Sequence, residues 1–172
     1  MNGLGAGTSE WPDGGFAGIR INPVSLMPEI VNEDACAEAL SASADPADLI
    51  FVRLVEGHAG EAAELLAEAR YKDPDSLRLR IFEADVLRVS NSSDRAVELF
   101  RQLLAETRGT PDEAVIRQQL GRSYFAGGNI AAAVESFARA LDLRVAGSAD
   151  AALIYASTVA LQRARDVLDL AS

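Results

Sequence analysis

Residues 120–141 read LGRSYFAGGNIAAAVESFARAL. Gly127, Gly128 and Asn129 interrupt what is otherwise a continuous amphipathic pattern. Glycine takes the left-handed conformation that closes a helix without steric cost, and asparagine accepts from the free N–H groups that open the next one. The stretch predicts two helices joined by a tight turn, near 111–126 and 130–143. Gly121 and Ala133 are expected to face each other where the backbones cross closely, because larger groups there would push the helices apart. Leu120, Tyr124 and Phe137 would fill the space above and below that crossing.

The same punctuation recurs upstream. Asp45-Pro46, Asp73-Pro74 and Thr110-Pro111 each place a capping residue before a proline, which the first helical turn tolerates. Thr110 and Glu113 also have the spacing of a capping box. Breaks follow at 57–60 (GHAG), 90–93 (SNSS) and 127–129 (GGN). Helices are therefore expected near 46–56 and 61–72, near 75–90 and 94–107, and in the pair already described. A weaker helix near 29–42 precedes them, and a long one from about 149 to 169 follows with Ser148 as its cap.

The second helices of these pairs are alike. Aligning Ala62, Ala96 and Ala133 brings Leu66, Phe100 and Phe137 into register, and then Ala69, Leu103 and Ala140. Ala62 and Ala96 are 34 residues apart, Ala96 and Ala133 37. A helix-turn-helix unit repeating at that period is the mark of a stacked array.

On these residues, 46–145 resemble tetratricopeptide repeats. Leu120-Gly121, Tyr124, Ala133, Phe137 and Ala140 match the family motif in the third repeat. Arg117 replaces its tryptophan and Val145 its proline. The second repeat keeps Ala84 in the place of the motif glycine, with Leu87, Ala96 and Phe100. The first keeps Gly57, Ala62, Leu66, Ala69 and Pro74. The resemblance implies an all-α, right-handed solenoid of about three helix pairs with a C-terminal capping helix. In that helix Gln162, Arg163, Arg165, Asp166 and Asp169 would face solvent. Leu153, Ile154, Val159, Leu161 and Leu168 would supply its apolar side.

Composition agrees with a helical body. Ala and Leu abound while aromatic residues are 6% of the 172, which favours close-packed helices over sheet. Glycine is concentrated at the start, with six in the first eighteen residues. Residues 1–27 are thus expected to form an irregular arm before a repeat domain over 28–172. Trp11, Phe16, Ile19 and Ile21 would either pin that arm to the helices or reach a groove or a partner.

The net charge of −10 argues against a nucleic-acid partner, which requires a basic face. No apolar run is long enough to span a bilayer, no signal peptide is visible, and the single cysteine points to a reducing, cytoplasmic setting. Catalytic chemistry is scarce. His58 is the one histidine and is expected in a solvated turn, and Cys36 is expected as a small buried hydrophobe. GLGAG at 3–7 lacks the strand, helix and lysine of a phosphate loop. The chain is read as no enzyme, with no cofactor and no metal.

What remains is binding. The resemblance implies a concave face lined by first helices, here by Phe51, Leu54, Arg78, Asp85, Arg88, Gln118, Arg122 and Phe125, that receives a peptide or helix of another protein. Arg78, Arg88 and Arg122 could grip an acidic peptide or a free C-terminal carboxylate, or could merely balance neighbouring acids. Ala47, Phe51, Phe82 and Arg78 stand where a chaperone-tail clamp would need lysine and asparagine. A structural subunit of a homo-oligomer and a regulatory subunit of an enzyme complex stay open as alternatives.

Overall fold

Asp45 accepts a hydrogen bond from the Ala47 N–H, with Pro46 in the first turn, and a helix starts there as the sequence implies. In the computed structural model, which describes residues 7–172, it is one of eight α-helices. They are α1 (Glu33–Ala42), α2 (Pro46–Val55), α3 (Ala59–Lys72), α4 (Leu77–Val89), α5 (Ser93–Thr107), α6 (Glu113–Ala126), α7 (Ile130–Ala146) and α8 (Ala151–Ala171). Before them come a 3₁₀ turn (Thr8–Glu10) and two short strands, β1 (Ile19–Ile21) and β2 (Pro28–Ile30). Gly3 and Gly5 of the GLGAG run lie outside the described residues. Among the described residues no helix is long and apolar enough to cross a membrane.

Several helix starts differ from those expected, for local reasons. Pro28–Ile30 pairs antiparallel with Ile19–Ile21, so the helix expected from 29 begins only at Glu33, capped by the Asn32 side chain. Asp73 ends α3, and Ser76 accepts from the Leu79 N–H to open α4, which leaves Pro74 in the link. Glu113 reaches back to the Gly109 N–H rather than to that of Thr110, and α6 begins at Glu113. Ser148 has φ 53°, a turn conformation, and Asp150 takes the cap position of α8. Between α6 and α7 only Gly128 is left-handed (φ 84°), while Gly127 is right-handed. Asn129 caps α7 through the Ala132 N–H, as expected.

Two compact units form, and residues 93–172 together with 23–27 make the second. The helix pair expected over 75–107 is thereby divided, α4 falling in the first unit and α5 in the second. In the first unit α2, α3 and α4 pack on one another. Ala47, Ile50, Leu54, Ala62, Leu66, Ala69, Leu79 and Phe82 form their core. Part of the arm expected to be irregular is ordered here. Ile19 is buried with Cys36 and Val52, and Phe16, Ile30 and Leu40 pack around them. Burial raises the Cys36 thiol pKa, in keeping with a packed hydrophobe.

In the second unit α6 packs on α5 and α7, and α7 on α8. Small buried residues, Ala133, Ala140, Ala160 and Ala164, let these helices approach. The apolar side of α8 is narrower than expected. Leu161 is buried, but Leu153 and Leu168 are exposed, because the small side chains Ser157, Ala160 and Ala164 make the seam. Gly121 meets the Phe137 ring at the α6–α7 crossing, where Ala133 was expected.

Candidate functional site

The eight expected groove residues fall in both units. Phe51 and Phe82 stack with centroids 6.0 Å apart, and the Arg78 guanidinium lies 5.4 Å from the Phe82 centroid. Arg78 also donates to Asp45 (3.1 Å) and Asp48 (2.9 Å). The Asp48 carboxyl is held below its usual range, first by the Ser43 hydroxyl and then by Arg78. Leu54 belongs to the core of the first unit. Arg88 donates to Asp85 at 3.1 Å, both side chains being buried. In the acidic first unit, these arginines are thus engaged with the chain's own carboxylates.

Gln118, Arg122 and Phe125 lie on α6, and in the second unit they meet a different kind of neighbour. Arg122 Nε donates to the main-chain oxygen of Leu26 at 3.0 Å, and its Nη1 to Gln119 at 3.1 Å. Arg163 Nε, on α8, donates to the main-chain oxygen of Val24 at 2.9 Å. The Leu26 side chain, 2% exposed, is buried with Ala133, Phe137, Ala160, Leu161 and Ala164. Tyr124, Phe125 and Ile130 pack around this cluster. Gln118 is buried and accepts from the Ser157 hydroxyl at 2.8 Å. That hydroxyl accepts in turn from Arg144. Burial lowers the Arg144 pKa, and its Nη1 also donates to the Leu153 carbonyl.

The arrangement holds a short turn segment, residues 23–25 being a turn and Leu26 left-handed. One aliphatic side chain enters an apolar cluster of three helices, and two guanidinium groups clasp carbonyls two residues apart on the main chain. Arg122 and Phe125 were legible from the sequence as candidates. Arg163 and Leu26 were not. Pro23–Met27 belongs to the same compact unit as these helices. The available signal was the pair of prolines, Pro23 and Pro28, which bracket a short apolar stretch and favour extended backbone just before them.

His58 is exposed, its Nδ1 3.9 Å from Glu56 and 4.0 Å from Glu61. Among the described residues no group of three or more histidine, cysteine or acidic side chains could hold a metal ion. Compared with protein-family models, with curated proteins and with solved structures, the chain returns no match in any of the three.

Proposed function

We propose that the chain is a non-catalytic protein-interaction module of tetratricopeptide type, whose second unit receives a peptide segment of a partner protein. One observation carries the reading: α6, α7 and α8 already hold residues 23–27 through main-chain carbonyls and a single aliphatic anchor. Peptide recognition often combines main-chain hydrogen bonds with a pocket for a particular side chain, and this surface offers both. Hydrogen bonds from a charged donor are stronger than neutral ones, so the two arginines add affinity while reading little sequence. The ligand recognised this way needs an aliphatic residue and needs no acidic group. A cytoplasmic setting belongs to the same reading, since the one cysteine, Cys36, is buried and unpaired.

Selection of a displayed random-peptide library on the full chain tests the proposal. Enriched sequences share one aliphatic position, and Arg122→Ala/Arg163→Ala weakens them by roughly tenfold or more. Peptides without a shared aliphatic position, or indifferent to both arginines, would move the working surface elsewhere.

A further inference from the structure

A cavity of about 560 Å³ lies in the second unit, between the end of α5, the first turns of α6 and one face of α7. Its lining is almost wholly charged. Arg108 comes from the turn after α5, Glu113 and Arg117 from α6, and Glu135, Arg139 and Asp142 from α7. Ala138 is the one apolar side chain among them, and its small size leaves the space above α7 unfilled. We propose that this cavity binds a small zwitterion, the arginines taking its carboxylate while Glu135 and Asp142 take its ammonium group. The site shares no arginine with the surface that holds residues 23–27, and it does not depend on the function proposed above.

At the base of the cavity the charges are already matched. Glu113 is buried, and it accepts from the Gly109 N–H at 2.8 Å and from Arg117 Nε at 2.6 Å. The rest of the lining is not matched in this way. Arg117 spends only Nε on that pair, and its two terminal nitrogens bond nothing among the described residues. Arg139 stands four residues after Glu135 and three before Asp142, spacings at which ion pairs form along a helix. Neither pair forms, and Arg108 likewise has no hydrogen bond or ion pair among the described residues. Arg139 instead adds to the positive field that helps hold the Glu113 carboxyl ionised. Three guanidinium groups thus share the cavity with one buried carboxylate, and the two carboxylates of α7 stay unengaged.

This balance selects the ligand. Three arginines face three acidic residues, so the lining is neutral as a whole. A polyanion would be repelled by Glu135 and Asp142 and by the net charge of −10. A simple carboxylate or a simple amine satisfies one half of the lining and leaves the other. A molecule carrying both charges satisfies both, and guanidinium groups match a carboxylate in geometry as well as in sign. The side chains of Arg108, Glu135, Arg139 and Asp142 are exposed, so they are free to turn onto a ligand, and salt screens the attraction.

The probes are glycine, β-alanine and γ-aminobutyrate, which carry the same two charges at increasing separation. Acetate and methylammonium are the single-charge controls. Each is titrated against the full chain at low salt and followed by NMR. At least one zwitterion binds roughly tenfold or more tightly than either control, and added salt weakens it. Amide shifts of residues 108–113 and 135–142 move in the wild type, a readout that needs no variant. Arg108→Gln/Arg139→Gln weakens the zwitterion roughly tenfold. Glu135→Gln/Asp142→Asn also weakens it, yet leaves acetate binding unchanged or stronger. Arg95→Gln, at an exposed arginine of α5 outside the cavity, changes nothing. All the substituted side chains are exposed, so the variants keep the fold, which circular dichroism checks. No binding by any of the three zwitterions, binding no tighter than that of acetate, or indifference to both double variants overturns the site.

Discussion

The ring of Phe137 lies where a side chain on residue 121 would have to begin: a β-carbon built on Gly121 would be 2.6 Å from both Cδ1 and Cε1. Phe137 is fully buried in the second unit, so its ring has no free space to yield into. The close approach of α6 and α7 therefore depends on a glycine under an aromatic ring.

Gly121→Ala sets two effects against each other. Alanine favours helix over glycine by up to about 1 kcal/mol, whereas overpacking a tight core costs about 1–3 kcal/mol. Because the ring cannot move aside, the clash wins and urea unfolding shows a net loss. Adding Phe137→Leu recovers part of that loss in a double-mutant cycle, as expected of two groups in contact.

Ser157→Ala breaks the buried relay from Arg144 through Ser157 to Gln118. Both partners lose a bond where water has little access, so a loss of about 1–3 kcal/mol is expected. The exposed Thr158, one position along and bonded to the Ile154 carbonyl, is the control. Thr158→Ala should change stability by no more than about 0.5 kcal/mol.

Glu113 gives the fold a pH dependence of defined sign. Its carboxyl is held below the usual range by the Gly109 N–H and by Arg117, against the opposing effect of burial. A carboxylate stabilised in the folded state contributes fully above its unfolded pKa, and the contribution fades as pH falls through the folded one. Thermal melts should show Glu113→Gln less stable than wild type at pH 7. The gap should close as pH drops below about 4.5, the ordinary glutamate value.

Ser123→Ala should be neutral or slightly stabilising. The Ser123 hydroxyl is fully buried on α6 and makes no hydrogen bond. Removing a buried polar group that has no partner relieves its desolvation cost, and alanine is the better helix former. A melting temperature lowered by several degrees would mean that the hydroxyl has a partner after all.

The sequence by itself determined the helices and most of their turns. Asn129 caps α7, Asp45 caps α2, and Gly128 turns the chain between α6 and α7, because caps and turns depend on residues within a few positions of one another. Starts went astray where a neighbouring residue or strand competed, as when Ser76 rather than Asp73 capped α4 and β1 drew Pro28–Ile30 out of helix. The candidate site divides the same way. Arg122 and Phe125 could be named from their places on a first helix. Tertiary structure alone decided that Arg122 holds the carbonyl of Leu26, 96 residues away, and that Arg163 holds that of Val24 across 139. A main-chain carbonyl is the same at every position, so no pattern of side chains marks which one an arginine will meet. Ala133 was expected over Gly121 and the Phe137 ring lies there instead, for a related reason. Periodicity gives a helix its inner face, but the register between two such faces is set only when they pack.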